Sequence, residues 1–274
     1  MRLVPLLFYA AAAAAYAGHF AWRDPRVGRF ATGLLGGGLL AHTFLIGMQT
    51  VHAGHAPLVG TTAAVSAFVW LLGLAYLYVE LTSAERSMGL FVTVLLVALG
   101  IIPALDPGVN PRPAVLQSPL FTIHVLAMLS SYACFALAAV LGVTYVLLFK
   151  EIKAKHLGFF YARLPPLGVL DVMNARAMIV GWILLTLGIA IGGFWATQTQ
   201  VQASPDPRAQ AMSVMDPKIL VAILSWLMYS FALFARRSLG WNGRRAAWLA
   251  TLGFAIVLLN FLPVGYFLTK SHNF

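Results

Sequence analysis

Long runs of apolar residues, separated by short polar segments, repeat along the whole chain. A helix that crosses a bilayer needs about 20 mainly apolar residues. The runs lack the alternation of barrel strands, so helices are the structure that satisfies their backbone within lipid. The pattern predicts an all-α polytopic membrane protein, a single integral-membrane domain over 1–274, with a bundle of about eight transmembrane helices: Leu3–Trp22, Phe30–Met48, Thr61–Tyr78, Met88–Ala104, Leu120–Phe149, Ala177–Trp195, Ile219–Phe234 and Ala247–Phe267.

The composition supports a membrane protein and excludes a soluble one. Of the 274 residues, 61% are hydrophobic and 9% are charged, whereas a soluble domain carries roughly 25% charged residues. The net charge of +10 does not indicate nucleic acid, because basic residues of membrane proteins gather in loops on one side. Membrane lipid is therefore an expected partner, and nucleic acid is not.

The distribution of basic residues predicts the orientation of the bundle. Thirteen of the 18 Lys and Arg residues follow the first, third, fifth or seventh run, and five lie on the other side. Because positive charge stays on the cytoplasmic side, both termini are expected to face outward. Three arginines follow the first run, which argues against a cleaved signal peptide.

Two of the seven histidines lie within apolar runs, and these are the candidates for chemistry. His42 is six residues before the end of the second run, and His124 is four residues into the fifth. At 1.5 Å per residue the two imidazoles lie within about 3 Å of one depth. Facing histidines of two helices are suitable axial ligands for haem iron. The alternative is two separate histidines, each hydrogen-bonded within the protein.

Other motifs point to no catalytic residue set. The pair His52 and His55 lacks a third local ligand for a metal. Cys134 is the single cysteine, so there is no disulfide and no CxxCH haem attachment. No nucleophile with a base, no phosphate-binding loop and no HExxH motif occurs. The sequence therefore gives no positive reason to expect an enzyme.

The segment Thr122–Ala133 (TIHVLAMLSSYA) resembles the cytochrome c assembly membrane-protein family, the CcsA, CcmC and HemX-like group. The resemblance covers the fifth to eighth helices, about 119–274. The segment Gly240–Arg245 (GWNGRR) and a histidine at His42 are similar to the YpjD-type branch. The resemblance implies haem handling at the outer membrane face. It also implies a haem between His124 and a histidine after the last helix, a position that His272 matches.

Two departures from that family limit what the resemblance implies. Thr197–Met215 contains no tryptophan, whereas the synthases present haem on a tryptophan-rich loop, and Phe234 stands where they have a membrane histidine. We therefore expect a haem b-binding protein of the bacterial inner membrane, an accessory or regulator in haem handling or cytochrome c biogenesis. Besides haem, its possible partners are another membrane protein or a cytochrome assembly component. A non-haem scaffold subunit and a synthase-like haem-presenting protein that needs a partner remain alternatives.

Overall fold

The computed structural model describes residues 2–58, 60–105, 118–155, 158–198 and 217–259. Within these ranges the chain forms helices and no strands, which confirms the predicted all-α class. The helices in chain order are α1 Val4–Trp22, α2 Pro25–Ala53, α3 Thr61–Ser83, α4 Gly89–Leu105, α5 Pro119–Lys153, α6 Leu167–Gln198, α7 Pro217–Ser238 and α8 Arg244–Leu259.

Six of the helices in the described part are long and apolar enough to cross a membrane, which confirms a multi-pass membrane protein. They are α1, α2, α3, α5, α6 and α7. The apolar helix α4 has 17 residues, and α8 has 16 within the described residues. All eight helices lie at the predicted segments, so the apolar runs located them correctly.

The predicted boundaries of α2 and α6 were wrong. Helix α2 continues to Ala53, five residues beyond the predicted Met48, and so includes His52. Helix α6 begins at Leu167, ten residues before the predicted Ala177. Both errors have one physical reason: a helix satisfies its own backbone in water as well as in lipid, so it continues beyond the apolar run that marks the bilayer.

Helix α5 joins the two halves of the bundle. It is the most buried of the six long helices, and it packs against α3, α6 and α8. Helices α1, α2, α3 and α4 pack mainly against one another. On the other side of α5 lie α6 and α8, and α7 packs against these two helices. His42 therefore lies among the first four helices, whereas His124 lies in the α5–α6 interface.

Candidate functional site

His124 lies near the start of α5 and contacts α6. Its Nδ1 is 2.7 Å from the carbonyl oxygen of Gly188. A carbonyl oxygen only accepts, so Nδ1 carries the proton, and a neutral imidazole then has its lone pair on Nε2. Metal-ligating histidines commonly donate their other N–H to a backbone carbonyl in this way. The structure thus holds His124 in the tautomer that an Nε2 iron ligand requires.

Two glycines of α6 make room for this arrangement. A Cβ atom on Gly192 would lie 2.6 Å from both Cε1 and Nδ1 of His124. A Cβ atom on Gly188 would lie 2.8 Å from Sδ of Met128. The Gly188 and Gly192 pair is a common helix-packing motif. Here Gly192 forms the notch that receives the imidazole, and Gly188 leaves room for the Met128 side chain and accepts the bond from His124.

Two aromatic rings lie at the same end of these helices. Phe121 and Trp195 have ring centroids 5.3 Å apart at an interplanar angle of 55°. Both side chains are buried. His124, one turn from Phe121 along α5, is half-buried. The end of the α5–α6 pair that carries the histidine is therefore packed by rings rather than left open.

His42 is held quite differently, between α1 and α3. Its Nδ1 lies 3.0 Å from the Tyr9 hydroxyl, and its Nε2 lies 3.0 Å from Oγ of Ser66. The side chain is 4% exposed. Both ring nitrogens thus have hydroxyl partners, which matches the alternative of a hydrogen-bonded histidine within the core.

The space beside His42 is small. A cavity of about 30 Å³ is lined by His42, Tyr9 and Ser66 among others. One water needs about 10 to 15 Å³ on this measure, so the cavity accommodates water but not a macrocycle. For His42 to ligate haem, the helices around it would have to separate and a hydroxyl contact would have to be exchanged for iron.

The structure does not place the two histidines in one interface. Helix α2 runs eleven residues beyond His42 to Ala53, whereas α5 begins five residues before His124. Because α2 continues beyond its apolar run, its end at Ala53 does not measure depth in the membrane. The shared depth of His42 and His124 therefore stays a prediction. His272 lies outside the described residues. The ligand roles of His42, His124 and His272 stay predictions.

The remaining histidines and Cys134 form no further centre in the described ranges. His19 Nδ1 contacts the carbonyl oxygen of Asp24 at 2.8 Å, and His55 Nδ1 contacts that of Ala56 at 3.2 Å. No group of three His, Cys, Asp or Glu side chains in the described residues is placed to hold a metal ion. Cys134 is a free, buried thiol.

A buried carboxylate that sequence reasoning missed lies at the basic end of the first four helices. The Tyr16 hydroxyl donates to Oε2 of Glu80 at 2.6 Å, and the Thr32 hydroxyl donates to Oε1. Nε of Arg86 lies 3.7 Å from Oε1, and the Glu80 side chain is fully buried. We call these four residues the Glu80 network. No local signal indicates it, because its members come from α1, α2, α3 and the turn after α3.

The GWNGRR segment has a structural role in the turn between α7 and α8. Asp171 of α6 accepts two hydrogen bonds from Arg236, at 2.6 and 3.0 Å. It also accepts a bond of 2.9 Å from the backbone N–H of Gly243. Gly243 has φ +60°, and a Cβ atom there would lie 2.5 Å from the Tyr145 hydroxyl. Only glycine suits this position. The bonds from Arg236 and Gly243 to Asp171 join α7 and the start of α8 to α6 at their basic end.

Known proteins match most of the chain. The family model for cytochrome c assembly protein matches residues 39–272, so the match begins in α2, well before residue 119. The chain is 26% identical over 252 residues to "Cytochrome c biogenesis protein CcsA" of Guillardia theta, covering 85% of this chain and 81% of that protein.

Two further relatives carry the same name. The Chlorella vulgaris protein is 26% identical, over 89% of this chain and 85% of its own length. The Prochlorococcus marinus (strain MIT 9215) protein is 27% identical, over 84% and 81%. The family match covers His42, His124 and His272 and more than half of the chain. The chain belongs to the cytochrome c assembly protein family.

Proposed function

We propose that this protein binds haem b within the membrane and acts as an accessory or regulator in haem handling or cytochrome c biogenesis. The observation that carries the proposal is the bond from His124 Nδ1 to the Gly188 carbonyl, which fixes the tautomer of a neutral imidazole that would bind iron through Nε2. The names of the relatives and the family support the biogenesis role. Haem, membrane lipid and another assembly component are the partners that this function needs.

His124 would hold the haem iron, and a second histidine would complete the axial pair. When bound through two imidazoles, haem supplies an iron centre whose potential depends on its axial ligands and their hydrogen bonds. The role of this chain is to fix the imidazole: Gly188 sets its tautomer and Gly192 leaves room for its ring. His42 and His272 are the competing second ligands.

Using His42 as the second ligand would break a hydrogen bond that the structure shows. His42 would have to exchange its contact with Ser66 or Tyr9 for iron. The lines of support for His272 are the family resemblance and its inclusion in the matched range 39–272. Pairing with His42 means a haem buried among helices, whereas pairing with His272 means a haem near the outer surface.

Absorbance spectra of purified variants test the proposal. We expect a bis-imidazole spectrum in the parent protein and its loss in His124→Ala. Loss in His42→Ala with retention in His272→Ala supports the buried pair, and the reverse supports the surface pair. His55→Ala is the matched control, because that imidazole hydrogen-bonds to the carbonyl oxygen of its neighbour Ala56.

The spectra also separate the alternatives. Full haem occupancy in His124→Ala would overturn the ligand assignment. A parent protein without haem, purified from cells that make haem, would favour a non-haem scaffold subunit. Haem that appears only when a second membrane protein is co-expressed would favour a synthase-like presenting role.

The orientation belongs to the same proposal. We place the basic ends of the helices on the cytoplasmic side of a bacterial inner membrane, with both termini outside. This follows from the thirteen Lys and Arg residues gathered at that side. Reporter fusions at Ser271 and at Arg237 are expected to report opposite sides. Identical signals from the two fusions would contradict the orientation.

A further inference from the structure

A groove runs along the bundle surface between α3, α5 and α6, and neither His42 nor His124 lines it. Its volume is about 280 Å³. Its wall is formed by side chains such as Leu74, Leu137, Val180 and Leu184, and Arg176 lies among the lining residues. The groove is thus apolar along its length and carries one cation.

Two hydroxyl groups along the wall are already satisfied by the backbone of their own helix. The Thr82 hydroxyl donates to the Tyr78 carbonyl at 2.9 Å, and the Ser83 hydroxyl donates to the Val79 carbonyl at 2.7 Å. Neither hydroxyl needs a ligand atom. A hydrocarbon chain is therefore a suitable neighbour for this wall, since it forms no hydrogen bonds that would have to be matched.

Arg176 differs from Arg236 and Arg86 in having no carboxylate partner among the described residues. Arg236 pairs with Asp171, and Arg86 pairs with Glu80. Arg176 is exposed, and within the described residues no carboxylate lies within 4 Å of its guanidinium. An unneutralised cation at the edge of lipid favours an anionic partner.

The dimensions of the groove fit one leaflet of a bilayer. From Leu71 to Ser83, the extent of its α3 wall, a helix rises about 18 Å. Half of the hydrocarbon core is about 15 Å thick. The Ser83 end is the basic end of the bundle, and Arg176 lies three residues from Met173, the α6 lining residue nearest that end. The cation is therefore at the head-group level when the apolar wall spans that leaflet.

The volume of the groove argues for a slender occupant. Pockets for drug-sized ligands have about 300 to 1,000 Å³, so 280 Å³ is at or below the lower limit. A helix with its side chains is about 10 Å in diameter and would lie on the groove rather than in it. An acyl chain suits both the narrow shape and the apolar wall.

We propose that this groove is a binding site for an anionic phospholipid of the leaflet at the basic end. An acyl chain lies along α3, α5 and α6, and the phosphate group pairs with the guanidinium of Arg176. Arginine suits this role because its planar fork binds phosphate through two hydrogen bonds. The site is independent of the haem ligands, so neither proposal depends on the other.

The test uses the full chain in nanodiscs of equal phosphatidylglycerol and phosphatidylcholine, followed by native mass spectrometry of the lipids that it retains. We expect preferential retention of phosphatidylglycerol. Arg176→Gln should lower the ratio of the two retained lipids about fivefold, the effect of one basic residue near an anionic surface. Arg237→Gln, at an exposed cation of α7, is the control and should leave the ratio unchanged.

A second pair of variants tests the apolar wall. Leu74→Trp fills the groove and should reduce retention of both lipids. Leu81→Trp, at an exposed position of the same helix that does not line the groove, should not. Equal retention of the two lipids by the parent would overturn the proposal. So would an equal fall in the ratio of phosphatidylglycerol to phosphatidylcholine in Arg176→Gln and Arg237→Gln. So would a second protein retained in place of lipid and displaced by Leu74→Trp.

Discussion

The first four helices and the α5–α6 pair bury polar groups in different ways. Among α1–α4, side chains bind side chains: Tyr9 and Ser66 contact His42, and Tyr16 and Thr32 donate to Glu80. Between α5 and α6, side chains bind backbone instead. His124 donates to the Gly188 carbonyl, Ser131 to that of Gly181 and Asn174 to that of Ala138.

This difference determines what each histidine can do. A hydroxyl both donates and accepts, so the contacts of His42 fit either tautomer. A carbonyl only accepts, so the contact of His124 fixes the proton on Nδ1. Bonds to backbone also require two helices to approach closely, which is why glycines lie opposite His124. The comparison therefore supports the proposal that His124 is a haem ligand, and it shows His42 held by hydroxyl groups in the core.

The largest loss of stability is expected when the side-chain hydrogen bonds of the first four helices are removed. Glu80→Ala removes the acceptor of Tyr16 and Thr32 and leaves Arg86 uncompensated. Each hydrogen bond to a charged group contributes about 1.5 kcal/mol or more, so losing the two hydroxyl bonds to the buried carboxylate costs about 3 kcal/mol. We expect a marked fall in thermal stability, measured in detergent, with the haem spectrum kept in the protein that remains folded.

Glu85→Ala is the matched control for the Glu80 network. Glu85 is half-buried in the turn after α3 and forms no ion pair in the described part of the chain. Its removal should change stability by less than about 0.5 kcal/mol, as surface substitutions usually do. Equal losses in the two variants would show that the network does not stabilise the first four helices.

A medium effect is expected in the α5–α6 notch. Gly192→Ala places a Cβ atom 2.6 Å from the His124 ring, and overpacking of this kind costs about 2 kcal/mol. We expect both lower stability and lower haem occupancy, measured by absorbance per protein. Gly193→Ala is the control, because a Cβ atom there meets nothing within 4 Å. Unchanged haem occupancy in Gly192→Ala would contradict the role of the notch.

The smallest expected effect tests whether His42 is a core residue or an iron ligand. Ser66→Ala removes the hydroxyl beside Nε2, a hydrogen bond worth about 1 kcal/mol. If His42 is a core residue, stability falls and the haem spectrum is unchanged. Ser225→Ala is the control, since that buried hydroxyl donates only to the Val221 carbonyl of its own helix. More haem at unchanged stability would instead indicate that Nε2 binds iron.

The sequence predicted the helices well because the bilayer imposes the apolar runs directly. It also pointed to His42 and His124, which stand out as polar residues in such runs, and their ligand roles stay predictions. It could not show the notch, because a GxxxG pair such as Gly188 and Gly192 occurs widely and does not reveal what lies opposite. It could not show that Glu80 is buried either, since Tyr16 and Thr32 are distant along the chain.

The length of α5 has a consequence for the membranes in which this fold works. Its 35 residues extend about 52 Å, whereas the hydrocarbon core is about 30 Å thick and helices tilt by about 20° on average. Tilting alone does not accommodate the excess, so α5 projects beyond the hydrocarbon. A thicker bilayer would cover more of a helix that is already formed, and a thinner one would cover less. The bundle should therefore tolerate differences in bilayer thickness through the reserve length of α5, without refolding its ends.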